Sequence, residues 1–138
     1  DSEKAFRQFI VAYPKHDHIR TAQHGLGQAL KNQKKYDVAL KEFESVLSEA
    51  IRDELGAHSQ FLVGECYLEQ KMYDESMAEY VKVETLYAFP QWQSKAIYEM
   101  AEALDGKGDK VNAQTQYKRL IQKFPDTPAA TAAKGKLK

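Results

Sequence analysis

The sequence has little of several features that mark familiar classes of protein. It contains one cysteine, Cys66, among 138 residues, which excludes an intrachain disulfide and a zinc site built on cysteines. Its 20 lysines and arginines equal its 20 aspartates and glutamates, so it lacks the basic excess of nucleic-acid-binding domains. Its longest apolar run, residues 9–13, is far shorter than the roughly 20 residues of a membrane-spanning helix. We therefore expect no nucleic-acid partner and no direct membrane insertion.

Motifs that carry catalytic chemistry are also lacking. Gly25 and Gly27 lie inside a helical pattern and follow no strand, so they do not form a phosphate-binding loop. The segment His16-Asp17-His18 resembles a metal-binding pattern, but no further ligand lies nearby in sequence, and Asp17 equally suits a helix N-cap. The acidic residues have helix-surface spacing, which predicts no pair of carboxylates in an apolar pocket. We expect a protein that is not an enzyme and that holds no metal and no cofactor.

The sequence does contain an internal repeat with a period of 37 residues. Within each unit, apolar residues recur at the i, i+4, i+7 and i+8 spacing of a buried helical stripe. The repeat therefore predicts a series of helix pairs. The matched columns include one of aromatic residues (Phe6, Phe43, Tyr80, Tyr117), one of small residues (Ser2, Ala39, Ser76, Ala113) and a second of small residues (Gly27, Gly64, Ala101).

Eight helices and no strand are predicted. Short polar segments such as residues 32–35 suit tight turns, and Pro14, Pro90 and Pro125 follow apolar stripes where a helix should end. Residues 106–109 contain two glycines that suit a third turn of this kind. The predicted helices cover residues 1–13, 18–32, 35–49, 54–70, 72–87, 91–105, 109–123 and 127–137.

Small residues on the first helix of each pair predict close helix contacts. We expect Gly27 and Gly64 to mark the contact within their pairs, and the aromatic residue of each second helix to fill the gap to the next pair. Cys66 shares a column with Ala29 and Ala103, which predicts a small core residue and not a nucleophile.

The repeated residues resemble the tetratricopeptide (TPR) signature. The resemblance implies an all-α, right-handed superhelical solenoid of antiparallel helix pairs in a single domain, residues 1–138. Its parts would be a half repeat (1–17), three repeats (18–53, 54–90 and 91–126) and a closing helix (127–138). The residues that carry it are Leu26, Gly27, Leu30, Tyr36, Ala39, Phe43 and Val46, then Val63, Gly64, Tyr67, Tyr73, Ser76, Tyr80 and Val83.

The period of 37 exceeds the usual 34, and an aromatic residue precedes proline at Tyr13-Pro14, Phe89-Pro90 and Phe124-Pro125. These features look like the periplasmic repeat proteins of Gram-negative bacteria. They are most similar to the Tol-Pal-associated cell-division coordinators (YbgF/CpoB type) and, more distantly, to the outer-membrane assembly lipoproteins (BamD type). The resemblance implies a periplasmic or envelope-associated protein, with a cytoplasmic location as the alternative. Since the first helix has no partner of its own unit, we expect the chain to be a segment of a longer protein.

The resemblance also places a partner-binding groove on the first helix of each unit. The column of His24, Phe61 and Tyr98 puts rings at a non-core position, where they could hold apolar side chains of a peptide. His24 and His58 are expected to face each other as a solvated pair. The groove residues are Thr21, His24, Gln28 and Lys31 in the first unit, His58, Phe61, Glu65 and Leu68 in the second, and Lys95, Tyr98, Glu102 and Asp105 in the third.

The implied function is a non-catalytic scaffold that binds a protein or peptide segment in this groove, in assembly or maintenance of the cell envelope. One alternative is a regulatory or targeting domain of a larger, possibly enzymatic, protein. Another is a cytosolic chaperone-type adaptor, which would hold a peptide carboxylate. Gln28, Glu65 and Glu102 occupy the matching positions, and two carboxylates there favour a mixed or partly basic ligand.

Overall fold

The computed structural model describes residues 2–12 and 18–138, and every regular element in these ranges is an α-helix. This confirms the all-α fold and its eight predicted helices, with the largest boundary difference at the end of the last one. None of the described helices is long and apolar enough to cross a membrane. The helices are α1 (Ser2–Ala12), α2 (Ile19–Asn32), α3 (Tyr36–Leu47), α4 (Glu54–Glu69), α5 (Tyr73–Leu86), α6 (Pro90–Lys107), α7 (Lys110–Lys123) and α8 (Pro128–Lys134).

The turns within the helix pairs share one backbone geometry. Lys34, Lys71 and Gly108 lie 37 residues apart and have φ values of 62°, 61° and 90°. In each turn the amide of the following residue donates to the carbonyl five residues before it, at 2.9 Å, which closes the helix end. Only the third turn has glycine at the left-handed position. Gly106, expected in this turn, instead lies inside α6 against the ring of Tyr73.

Aromatic rings pack onto glycines within two of the helix pairs, α2 with α3 and α4 with α5. Phe43 lies against Gly27 and Tyr80 lies against Gly64, so closely that an added Cβ would come within 2.6 Å and 2.5 Å of the rings. This confirms the predicted contact at both glycines. The rings fill the space inside their own pair as well as the gap to the next one, since Phe43 also shares a buried cluster with Leu62 of α4.

The helices form two layers, and only one of them is continuous. α2 contacts α4, α4 contacts α6, and α6 contacts α8, whereas α3, α5 and α7 do not contact one another. In a curved stack of helix pairs, the layer whose helices touch is the inner one. The concave face is therefore built by α2, α4, α6 and α8, while α1 packs on α2 from the outer layer.

Cys66 lies in the core between these layers. Its side chain is completely buried, and burial raises the pKa of its thiol to about 12. Because the reactive form of cysteine is the thiolate, this residue is inert at neutral pH. The prediction that Cys66 is a core residue is confirmed.

Candidate functional site

The predicted groove residues all lie on the concave layer, four each on α2, α4 and α6. Thr21 is exposed, His24 and Phe61 are buried, and the other nine are half-buried. The structure thus brings the predicted residues together on one face. Whether they contact a partner stays a prediction.

Neighbouring repeats meet at positions about 34 residues apart, although equivalent positions are 37 apart. Lys31 pairs with Glu65 at 3.3 Å, and the rings of His24 and His58 lie 4.5 Å apart between centroids. Adjacent concave helices are therefore staggered by about one helical turn. Residues that contact each other across neighbouring repeats are therefore 34 positions apart, whereas residues at equivalent positions of two repeats are 37 apart.

This stagger corrects the predicted column of groove rings. Phe61 is only 4% exposed and belongs to the core, where its ring lies 5.5 Å from Trp92 and 5.8 Å from Tyr80. His24 is also buried, and the half-buried ring of Tyr98 lies 5.6 Å from the ring of Tyr117. The three residues do not form an exposed row of rings.

A row of rings does cross the concave layer, but on other residues. His24 on α2, His58 on α4 and Trp92 on α6 follow one another at intervals of 34 residues, and we name them the ring ladder. His58 stacks on Trp92 with centroids 4.1 Å apart and an interplanar angle of 16°. Lys95 places its Nζ 4.7 Å from the centroid of the Trp92 ring, in a cation–π contact. Sequence reasoning missed Trp92, and a search at a spacing of 34 would have found it.

The histidines of the ring ladder are uncharged at neutral pH. Burial lowers the pKa of both His24 and His58 to about 4, with the neighbouring His58 adding to the effect on His24 and Lys95 to the effect on His58. A hydrogen bond of 2.9 Å joins His24 Nδ1 to Ser59 Oγ. The expected facing of the two histidines is confirmed. Their interpretation as a solvated pair is wrong, because Phe43, Ser59 and Trp92 pack around them.

A second row of side chains runs parallel to the first, two helical turns further along each helix. It consists of Lys31, Glu65 and Glu99, again 34 residues apart, and we name it the charge ladder. Lys31 Nζ lies 3.3 Å from Glu65 and 2.7 Å from Glu69. These carboxylates keep the pKa of Lys31 above its usual value although burial opposes this. The cation is therefore committed to contacts inside the protein.

Glu99 ends the charge ladder in a half-buried position. The hydroxyl of Tyr80 donates a hydrogen bond of 2.8 Å to Glu99 Oε1. Burial, with the charge of Glu65 and a hydrogen bond to it, raises the pKa of Glu99 to about 9. Glu99 is therefore protonated at neutral pH, when it can donate to Glu65. The sequence-based expectation of no carboxylate pair in an apolar setting is wrong, because the pair forms only across the stagger.

A pocket opens beside this carboxyl pair, between α4, α6 and α8. Its volume is about 330 Å³. Aromatic and aliphatic side chains form most of its wall, and Glu65, Glu99 and Lys95 add polar groups. The lining residues are Phe61, Glu65, Lys95, Tyr98, Glu99, Pro128, Ala129 and Ala132. Four of the predicted groove residues thus meet in one pocket, together with three residues of α8 that were not predicted.

Another groove, of about 430 Å³, lies between α1 and α2 and has mainly apolar walls formed by Phe6, Phe9 and Ala22. It is larger than the pocket beside Glu99, and its lining residues include no acidic side chain. The pocket beside Glu99 combines apolar walls with polar groups, which is the usual composition of a binding site.

The described residues contain no group of three or more histidine, cysteine, aspartate or glutamate side chains placed to hold a metal ion. His16 and Asp17 lie outside the described residues, so the interpretation of residues 16–18 as a loop stays a prediction. The carboxyl pair can hold one proton or one cation. Its partners are a tyrosine hydroxyl and a packed layer of helices.

Comparisons with known proteins agree on the architecture. Two family models, both described as tetratricopeptide repeat, match residues 24–90 and 95–127. No curated protein sequence matches the chain. A solved structure described as nearly identical TPR-like repeats of a kinesin light chain from Podosopora anserina superposes with a TM-score of 0.77 and 15% identity, over 98% of this chain and 74% of that one.

A tetratricopeptide repeat protein from Parabacteroides merdae superposes with a TM-score of 0.72, also at 15% identity. The match covers 96% of this chain and 49% of that one. At this level of identity the likeness shows the fold alone. The period of 37 residues and the two ladders are therefore best interpreted from the residues of this chain.

Proposed function

The chain is a tetratricopeptide repeat protein, and from this premise we propose that it is a non-catalytic scaffold that binds a segment of a partner protein in its concave groove. Tetratricopeptide repeats are protein–protein interaction modules, and their fold typically carries no catalytic chemistry. The observation that supports groove binding is the pocket between α4, α6 and α8, because it joins apolar walls to a carboxyl pair on the inner layer.

The groove does not suit capture of a peptide carboxylate, as in a chaperone-type adaptor. Its cation Lys31 is engaged by Glu65 and Glu69. Lys95 is held over the Trp92 ring. A carboxylate entering beside Glu65 would meet like charge, which disfavours binding.

Site-specific photo-crosslinking tests groove binding directly. A photoreactive amino acid at Tyr98 or Gln28 reports on the concave layer, and the same group at Val81 or Lys118, which are exposed on α5 and α7, is the matched control. We expect one partner to be crosslinked in the native extract from the two groove positions only. Equal crosslinking from the outer helices would contradict groove binding and favour another surface.

The proposed setting is the bacterial cell envelope. The support is the 37-residue period with its aromatic-proline pairs, one of which, Phe89-Pro90, begins α6 in the structure. Fractionation of the native cells tests this proposal: recovery of the protein in the periplasmic or membrane-associated fraction is expected. Recovery in the cytoplasmic fraction would contradict it and favour a regulatory domain or adaptor there.

A further inference from the structure

We propose that the pocket between α4, α6 and α8 takes up a basic side chain, lysine or arginine, of the bound partner segment. The aliphatic stem would lie against Phe61 and Tyr98, and the cationic group would lie at Glu65 and Glu99. This inference rests on the proposed function, since it specifies the chemistry of the segment that the groove binds.

The first support is the uneven charge of the charge ladder. It begins with the cation Lys31, continues with Glu65 and ends with Glu99, and the next position at the same interval is Ala133 on α8. Ala133 is completely buried and carries no charge. Among the described residues, Glu99 is hydrogen-bonded to the hydroxyl of Tyr80 and to the carboxyl group of Glu65. Glu65 in turn shares the cation Lys31 with Glu69. The one cation of the ladder, Lys31, is thus shared by two carboxylates, and no cation of the ladder reaches the carboxyl group of Glu99.

The second support is the shape and lining of the pocket. Its volume of about 330 Å³ lies near the lower end of the range for ligand pockets, which suits one extended side chain. Phe61 and Tyr98 lie on the wall with Ala129 and Ala132, so that an aliphatic stem meets apolar surface. Glu65 and Glu99 line the same pocket. This combination of a ring-lined wall and carboxylates matches a long amphipathic cation.

The third support is that the local lysines do not neutralise the site. Lys95 itself lines the pocket, but its Nζ is directed to the Trp92 ring, 4.7 Å from the ring centroid. Lys136 acts electrostatically on Glu102, which also faces the charges of Asp105 and Glu65. The polar partners of Glu99 are the Tyr80 hydroxyl and Glu65, so both of its neighbours are groups without positive charge.

Binding of a cation should release a proton. Glu99 is protonated at neutral pH because burial and Glu65 raise its pKa to about 9. A cation at this place favours the carboxylate and lowers that pKa. Affinity for the cation should therefore increase between pH 6 and pH 9. An alkylammonium ion stays charged throughout this range and is a suitable probe.

The test uses n-pentylammonium as a probe of the lysine side chain, with 1-pentanol as its neutral counterpart. Titration of the whole chain, followed by NMR, should give saturable shifts at Phe61, Tyr98, Ala129 and Ala132 with the ammonium compound. Glu99→Gln should weaken this binding by about tenfold, the value of one charge-assisted hydrogen bond, and should remove its pH dependence. The matched control Glu44→Gln, exposed on α3, should leave both unchanged.

Equal binding of pentanol and pentylammonium, or an unchanged affinity in the Glu99→Gln protein, would overturn the inference. Absence of shifts at the four pocket residues would do the same. The proposed function is judged separately by crosslinking from Tyr98 and Gln28. If a partner is crosslinked there but the probe does not bind, groove binding stands and the basic pocket is wrong. If the probe binds and no partner is crosslinked, the pocket does bind a cation, but binding of a partner in the groove is wrong.

Discussion

The two ladders of the concave layer lie only seven residues apart on the same helices, yet they differ in how their side chains are satisfied. In the ring ladder, the His24 ring contacts His58 at a tilt, His58 stacks on Trp92, and Lys95 covers the last ring. In the charge ladder, the cation lies at one end and a protonated carboxyl lies beside an open pocket at the other. One set of helices can therefore carry a row of packed rings and, one row further on, a candidate binding pocket.

The largest effect should follow truncation of the ring ladder. Trp92→Ala removes a buried ring that packs on both His58 and Phe61, so we expect the free energy of unfolding to fall by about 3–5 kcal/mol. Tyr98→Ala, which removes a half-buried ring from the pocket, should cost less. Urea denaturation of the two variants measures the difference. Equal losses would show that the pocket wall is as much part of the core as the ladder.

Acid should weaken the ring ladder. The folded-state pKa values of His24 and His58, about 4, lie below the ordinary value of 6.5, so the unfolded chain binds protons more readily. Stability that is complete above pH 6.5 is therefore lost as the pH falls towards 4, by on the order of 2 kcal/mol. His58→Phe keeps a ring between His24 and Trp92 without a titratable group, and its denaturation curves should show a smaller acid loss. If the acid loss of stability is the same in this variant as in the wild type, other groups cause it.

Removal of the cation should unbalance the charge ladder. Lys31→Met leaves Glu65 and Glu69 without their shared partner, and we expect a loss of about 1–3 kcal/mol in the free energy of unfolding. Lys35→Met is the control, because its contact with Glu3 is exposed and should contribute much less. In a Glu65→Gln background the cost of Lys31→Met should shrink. An unchanged cost would mean that Lys31 and Glu65 are not coupled.

The smallest change at neutral pH is expected from Glu99→Gln. The amide resembles the protonated acid, so it can accept from Tyr80 and donate to Glu65 with a change of less than about 1 kcal/mol. In the wild type, the raised pKa of Glu99 means that stability present below pH 4.5 is lost as the pH rises towards 9. Urea denaturation at pH 5, 7 and 9 should show this alkaline loss reduced in the variant. The two ladders thus have opposite pH dependences, and a loss of the same sign from both would break the comparison.

Much of the fold was predictable because it depends on local periodicity. The spacing of apolar residues gave eight helices, and Gly27 and Gly64 correctly marked contacts within pairs. The turn conformations were harder to predict. Lys34 and Lys71 adopt the left-handed conformation that the sequence alone would assign only to Gly108. They do so because the hydrogen bonds that close the helix ends hold the backbone there, at a steric cost that propensity does not reveal.

The candidate site was predictable only in part. Residues of α2, α4 and α6 were correctly assigned to one face, but Phe61 belongs to the core, and Trp92 and Glu99 were missed. All three differences have one origin. Equivalent residues of successive repeats were compared at a spacing of 37, whereas residues in contact across the concave layer are separated by about 34.

The sequence by itself determined the repeat, the helix pairs and the face that each helix buries, because these follow from contacts between residues close together in the chain. Only the tertiary structure decided the stagger between neighbouring pairs. That stagger depends on how one helix pair packs on the next, where Phe43 of α3 shares a buried cluster with Leu62 of α4. It places Glu99 beside Glu65 and His58 beside Trp92, and so decides which row of the groove is closed and which is open to a ligand.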